Sequence, residues 1–422
     1  MRANVAQGGG LDAEGIAGWL VDALAHYAGH PVEAIIPVAH GAGVAAVADG
    51  ALAFAPLDYE HTIPEAAMAA YRAQRDAFAL TGSPALPDGL NIGSQLHLLE
   101  QLHGDDFRRA TLLPWAQYWA WFLSGEARSE VTSLGCHSDL WAPAKGDFSP
   151  MAERRGWAAQ FAPMTQAGEV IGTLRADLAA QTGLPATARV HAGLHDSNAA
   201  LLAARGFAEI AGQEATVLST GTWFIAMRTA AEPVDPAALP EARDCLVNVD
   251  AFGQPVPSAR FMGGREIELL GERIDHPGTA SAADVLYSGA MVLPGQVPGS
   301  GPFPTSTGRW INRPEDRTER AAAVALYAAL MADVSLSLIG AKGVLLIEGR
   351  FAASEIFTRA LAALRPATRV YTASGEADVS FGALRLLLPE LAPPGALKLV
   401  APIEADLAAY RAEWLEDIAA FL

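Results

Sequence analysis

From residue 315 to the end, the chain alternates a helical apolar pattern with short apolar strands, and this alternation restricts the fold more than any other feature. The periodicity predicts helix 315–340, strand 343–348, helix 353–364, strand 368–373, helix 376–388 and a terminal helix 404–421. Strands alternating with helices imply a sheet covered by helices, an α/β fold. Just upstream, 216–219 and 223–227 read as strands joined by a tight Thr-Gly turn at 220–221. Likewise 245–250 and 254–258 flank an Ala-Phe-Gly turn. The Pro/Gly/Ser-rich stretch 294–308 is the strongest loop signal.

The front half has a different rhythm. Ile16, Leu20, Leu24 and Tyr27 share one face of a helix predicted over 12–28. Two apolar runs follow, 34–39 and 43–48, and Ala48-Asp49-Gly50 reads as a hairpin turn. Residues 62–185 are mostly helical, with a dense aromatic patch at Trp115, Tyr118, Trp119, Trp121 and Phe122. A strand at 188–191 runs into Gly193-Leu194-His195-Asp196 and a short helix to 204. The change of pattern after Gly206 places a domain boundary near 204, giving units 1–204 and 205–422. At 422 residues, both units are long enough for a core.

Composition removes several classes of function. Hydrophobic residues at 51% and charged residues at 18% exclude a disordered chain. The charge balance, 29 − 47 = −18, argues against a nucleic-acid partner, which needs a basic face. Only Lys145, Lys342 and Lys398 are lysines, and none completes a G-x-x-x-x-G-K-[ST] loop, which removes a Walker-type ATPase. Cys136 and Cys245 form no C-x-x-C, and neither histidine pair (His26/His30, His191/His195) gains a third ligand, so no zinc site is expected. The apolar stretch 321–332 is too short for a membrane span and ends at Asp333. The opening MRANVAQGGG lacks a signal-peptide core. The expectation is a soluble cytoplasmic protein with no membrane partner and no protein-ligated metal.

Three segments can carry chemistry. In Ala192-Gly193-Leu194-His195-Asp196-Ser197, a carboxylate at a strand end can take a proton from a substrate hydroxyl; equally, Asp196 suits a helix N-cap. In Ser219-Thr220-Gly221-Thr222-Trp223, a glycine turn can aim backbone N–H groups and hydroxyls at phosphate; equally, it is an ordinary hairpin. In Ile347-Glu348-Gly349-Arg350-Phe351, glycine lets a flat ligand approach the backbone, or simply turns strand into helix. His40-Gly41 and Asp58-Tyr59-Glu60-His61 also lie at strand ends, where polar groups can bind a polyhydroxylated ligand or cap a turn. Gly382 reads as a close helix contact.

Taken in order, these segments resemble the FGGY family of carbohydrate kinases. The match comprises His40-Gly41, the Leu113-Pro114…Tyr118…Leu123-Ser124-Gly125-Glu126 helix, Gly193-Leu194-His195-Asp196, Ser219-Thr220-Gly221-Thr222-Trp223 and Glu348-Gly349-Arg350-Phe351. The rhamnulokinase/fuculokinase-like branch is the nearest in look, with Val131-Thr132-Ser133-Leu134-Gly135-Cys136-His137 and Arg260-Phe261-Met262-Gly263-Gly264-Arg265-Glu266 adding to it. The resemblance implies two actin-like (ribonuclease H-like) ATPase domains with a cleft between them. It implies Asp196 as general base, with His195, Ser197, His40, Asp58 and Glu60 on the sugar. Ser219, Thr220, Gly221 and Thr222 would cradle the phosphates of ATP with Mg²⁺ bridging them, and Gly349 would face the adenosine. The family also admits a homodimer.

Two departures accompany the resemblance. The family opens with an Asp-x-Gly phosphate loop, and nothing like it precedes Leu11, so the first domain is expected to be N-terminally incomplete. The usual Gly-Gly-x-[ST/K] adenosine motif reads Glu-Gly-Arg-Phe. Two functions stand: an ATP-dependent kinase of a ketose, of the L-rhamnulose or L-fuculose type, or an impaired nucleotide- or sugar-binding remnant of one.

Overall fold

The computed structural model describes residues 10–274, 279–373 and 379–420. The opening run 1–9, residues 376–378 of the helix expected at 376–388, and residue 421 of the terminal helix lie outside them.

In the front half, the first helix spans Ala13–Ala25, and the Asp12 carboxylate accepts the Gly15 N–H at 3.0 Å to cap it. The apolar run 34–39 divides into two short strands, Ala34–Ile35 and Val38–Ala39, on either side of Pro37, which has no N–H for a ladder. The hairpin Val44–Ala48 to Ala51–Leu52 turns through Asp49 and Gly50, both with positive φ, as a two-residue hairpin turn requires. Thr111–Pro114 pairs antiparallel on the other side of Val44–Ala48 and leads into the aromatic helix Trp115–Ser124.

Two parallel pairings position the site. Ala34–Ile35 lies beside Arg189–His191, and Val38–Ala39 beside Leu194–His195, with His195 opposite Ala39. Parallel strands end on the same side, so the residues that follow each strand emerge together: His40 from one, Asp196 from the other. The helix α1 then spans Asp196–Ala204.

The rear half is a mixed seven-stranded sheet. Its strands are β1 (Ala215–Thr220), β2 (Phe224–Thr229), β3 (Cys245–Val249), β4 (Pro255–Phe261), β5 (Val344–Gly349), β6 (Arg369–Ala373) and β7 (Leu397–Leu399), in the spatial order β3-β4-β2-β1-β5-β6-β7. The expected strands and turns are present; the edge strand β7, from the Pro-rich tail, has no counterpart in the sequence reading. The pleat sorts the side chains. Across β1, β2, β4 and β5 the register aligns Ser219 with Ile225, Ile225 with Arg260, and Ser219 with Glu348. These residues share the face turned toward the front half. Leu218, Phe224, Phe261 and Ile347 point the other way, into the large core formed with α2 (Arg317–Leu338).

The 22-residue helix α2 is capped by Asp316 and is long and apolar enough to cross a membrane, yet 89% of its apolar window is buried inside the protein. It is a core helix. Helix α3 (Glu355–Leu364) covers the same side, while α4 (Val379–Arg385) packs on α1. Helix α1 is apolar around most of its circumference because it is shared. Leu201 and Ala204 join Val217, Met227 and Leu346 of the rear sheet, whereas Ala199 and Leu202 join Leu194 and Ala167 of the front half and Ala383 of α4.

Candidate active site

His195 and Asp196 sit where the short parallel strand gives way to α1. The His195 ring is buried, its Nε2 3.1 Å from Asp196 Oδ1, while the Asp196 side chain is 44% exposed. The His195 N–H donates to Thr132 Oγ1 at 2.9 Å, and the Thr132 hydroxyl donates to the fully buried Glu130 carboxyl. Burial pushes the Glu130 pKa up to about 8, so that carboxyl holds its proton at neutral pH.

Asp196 does not cap the helix. The N-cap position belongs to His195, and the Asp196 carboxylate instead takes the adjacent Ser197 N–H at 2.6 Å. Burial opposes ionisation of Asp196, but the His195 hydrogen bond and charge, the Ser197 N–H and His40 outweigh it and hold its pKa below the ordinary carboxylate value. Cys136 and His195 are likewise coupled. Burial favours the neutral form of both, yet the imidazoles of His137 and His195 pull the thiol down to about 5, and Cys136 and Asp196 lift the His195 imidazole well above its usual value.

A cavity of about 370 Å³ lies between the halves. The front half contributes His40, Tyr59, Cys136, His137, His195 and Asp196; the rear sheet contributes Trp223, Ile225, Met227, Leu246, Asn248 and Arg260. A second cavity, about 210 Å³, is walled by Asp196, Ser197, Ser219, Ile225, Met227 and Glu348. Asp196, Ser197, Ile225 and Met227 belong to both. A carboxylate therefore stands at the junction of two compartments.

The expected residues separate into those the structure brings together and those it does not. His40, His195, Asp196 and Ser197 meet at the larger cavity, and Ser219 lies in the smaller one. His40 Nδ1 bonds the Gly41 carbonyl at 2.8 Å, leaving a buried Nε2 without a protein partner. Asp58 and Glu60 are not on the cavity wall. Asp58 is buried, and its carboxylate accepts the Glu60 N–H at 2.8 Å to close a turn, which leaves Glu60 exposed. Tyr59 between them lines the cavity instead, 5.4 Å from the His40 ring.

Thr220 also departs from expectation. Its buried hydroxyl donates to the Glu348 carbonyl at 2.5 Å and accepts the Phe351 N–H at 3.0 Å, so it braces the turn at 349 rather than offering a hydroxyl to a ligand. Gly221 and Thr222 form the hairpin tip, outside the smaller cavity's wall. Gly349 has φ +83°, and a β-carbon there would lie 2.5 Å from the Thr220 carbonyl oxygen, so both conformation and space require glycine. It opens onto a third cavity, about 740 Å³, between α3 and the sheet edge.

Several wall residues carry no individual role in the sequence expectations, although most lie in segments named there: Tyr59, Cys136, His137, Trp223, Asn248 and Arg260. For the last two the signal was strand alternation, since Asn248 is two residues from Leu246 on β3 and Arg260 is level with Ile225 on the neighbouring strand. Glu348, on the smaller cavity's wall, is pushed up to about 7 by burial, against a hydrogen bond from Ser219. The oxygen donors there, Asp196, Ser219 and Glu348, are of the type Mg²⁺ takes when phosphates complete its shell. Among the described residues no group of three His, Cys, Asp or Glu forms a metal cluster.

The chain is similar to known carbohydrate kinases. Residues 212–394 match the family described as carbohydrate kinase FGGY, C-terminal domain. The chain is 39% identical to an L-fuculokinase of Salmonella typhi over 107 residues, a stretch amounting to 25% of this chain and only 21% of that one. The crystal structure of a carbohydrate kinase from Novosphingobium aromaticivorans shares 62% identity, covering 97% of this chain and 91% of its own, with a TM-score of 0.94. The structure of Plasmodium falciparum glycerol kinase with ADP superposes with a TM-score of 0.78 over 100% of this chain and 92% of its own; its 12% identity speaks to the fold alone.

Proposed function

Since the chain belongs to the FGGY family of carbohydrate kinases, with the α/β architecture of its two actin-like domains, we propose that it transfers the γ-phosphate of ATP to a hydroxyl of a ketose. The observation that carries this reading is the position of Asp196, on the wall of two adjoining cavities. The acceptor occupies the larger, between His40, His195 and Ser197. The phosphates occupy the smaller, beside Ser219, and Gly349 lies against the nucleoside.

Asp196 takes the proton of the attacking hydroxyl as the new O–P bond forms and the bond to the β-phosphate oxygen breaks, releasing ADP. His195 holds one carboxylate oxygen, so the other faces the acceptor. When bound, Mg²⁺ would neutralise charge on the phosphates, and Glu348 is the carboxylate of the smaller cavity that would hold it. The likeness to L-fuculokinase favours a ketose of the L-fuculose or L-rhamnulose type. The boundary at 204 then falls at the end of α1, with the front unit holding sugar and the rear unit nucleotide.

A second reading, binding without turnover, has its own support: the wall of the smaller cavity carries two carboxylates and no cationic side chain among the described residues. ADP release with each of a series of ketoses decides between them. Acceptor-dependent release that Asp196→Asn abolishes supports the kinase. Nucleotide binding by calorimetry with no release for any acceptor supports the second reading.

A further inference from the structure

The larger cavity has a rear wall that the phosphotransfer step does not use. Asn248 and Arg260 lie on the cleft face of β3 and β4, and both are about nine-tenths buried. The Asn248 amide is oriented by its neighbour: Nδ2 donates to Ser258 Oγ at 2.8 Å, while the Ser258 hydroxyl donates its own proton to the Val256 carbonyl at 3.0 Å. Ser258 thus has only lone pairs to offer Asn248, which turns the NH₂ toward it and leaves Oδ1 outward. That oxygen is buried and has no protein partner. Arg260 gives Nε to Asp244 at 3.0 Å, and its guanidinium lies 4.9 Å above the Trp223 ring. No described residue accepts from its terminal nitrogens.

A buried polar atom without a partner costs roughly 1–3 kcal/mol. The Asn248 oxygen is left this way, and together with the Arg260 guanidinium on the same cavity wall and the orphaned His40 Nε2 opposite it forms a complementary set for a ligand's hydroxyls. The distance of Asn248 from the base sets the ligand's length, with Arg260 one strand nearer along the way. Asp196 meets the sheet over β1 and β2, and β3 lies two strands beyond β2, about 10 Å away at the usual spacing. An open-chain ketose spans that gap and a three-carbon polyol does not.

Resting on the kinase reading, we propose that Asn248 and Arg260 are specificity-determining residues that hold the far-end hydroxyls of an open-chain ketose, the end opposite the phosphorylated oxygen. The acceptor is then gripped by both halves: its reacting end by the front half, its remote end by the rear sheet.

The test is steady-state ADP release on the full chain with glycerol, D-xylulose, L-fuculose and L-tagatose. Wild type should prefer at least one ketose to glycerol by about tenfold or more in kcat/KM. Asn248→Leu should raise the KM for that ketose about tenfold or more, leaving the KM for ATP unchanged and glycerol turnover little affected. Arg260→Lys, which keeps the charge beside Asp244 but loses the planar fork, should show the same pattern and guards against a folding defect in the first variant. Ketose KM values unchanged in both folded variants overturn the proposal, as does an equal loss on glycerol and ketoses, which marks a structural role. The base assignment fails separately, if Asp196→Asn turns over as wild type does, and the kinase reading fails if wild type phosphorylates none of the four acceptors; the latter takes this proposal with it.

Discussion

Gly382 and Ala199 touch backbone to backbone: a β-carbon on Gly382 would lie 1.7 Å from the Ala199 carbonyl oxygen. Helix α4 is thereby seated on α1, the helix that begins with Asp196. Gly382→Ala must push the two apart, and overpacking of this kind costs about 1–3 kcal/mol. Thermal denaturation should show a clear loss of Tm, with a parallel drop in turnover because α1 carries the proposed base. An unchanged Tm would show that the helices yield freely.

Gly41 allows the His195 ring its place. A β-carbon at Gly41 would stand 2.8 Å from His195 Nε2, the atom facing Asp196. Gly41→Ala should therefore displace the imidazole and lower kcat about a hundredfold, the scale of an ångström-sized misplacement. ADP release measured alongside circular dichroism checks this: a loss of activity is expected with near-native secondary structure, and wild-type kcat would contradict it.

Glu348 makes the smaller cavity, the proposed phosphate site, pH-sensitive. Burial raises its pKa to about 7, so the folded protein binds a proton there that the unfolded chain, near 4.5, releases earlier. The sign follows: this contribution to stability is complete below pH 4.5 and is lost as pH rises through about 7. Over the same interval the neutral carboxyl becomes the anion that would hold Mg²⁺ beside the phosphates. The KM for Mg–ATP should fall between pH 6 and 8 in wild type and stay flatter in Glu348→Gln. Parallel profiles for the two proteins would remove Glu348 from the effect.

Asp196 titrates in the opposite sense, its pKa held below the ordinary value. The proposed base is ionised throughout the neutral range, and its acid limb in kcat lies below the ordinary carboxylate range. Any limb nearer neutrality should move in Glu348→Gln or in His195 variants, and the kcat–pH profile reads this directly.

Thr220 and Ser219 separate bracing from binding. Thr220→Val strands the Phe351 N–H, and the lost hydroxyl costs about 1–3 kcal/mol. Ser219→Ala removes a hydroxyl from the cavity wall and should weaken ATP binding with little change in Tm. Denaturation and nucleotide calorimetry on the two variants should give opposite patterns.

Local patterns were legible in the sequence because they depend on near neighbours. The Asp49-Gly50 turn, the alternating strands and helices of the rear half and the strand-to-helix step at Asp196 all follow from propensity, periodicity and turn chemistry. What depends on register was not. His40 and Asp196 are 156 positions apart and meet because Val38–Ala39 pairs in parallel with Leu194–His195, which no local pattern encodes. Asp58 and Glu60 were expected at the sugar, but one Asx turn exchanged them for Tyr59. Asn248 and Arg260 became visible only when the pleat of four adjoining strands set which side chains face the cleft.

Helix α1 joins the two halves. Because its side chains lock into the front half and the rear sheet together, a movement of one half against the other has its fulcrum at this helix. In such a movement the walls of the cleft would swing through the largest arc at their rims, while the carboxylate at the pivot would hardly travel. Opening to admit ligand and closing to exclude water can then proceed without re-aiming Asp196 at each turnover.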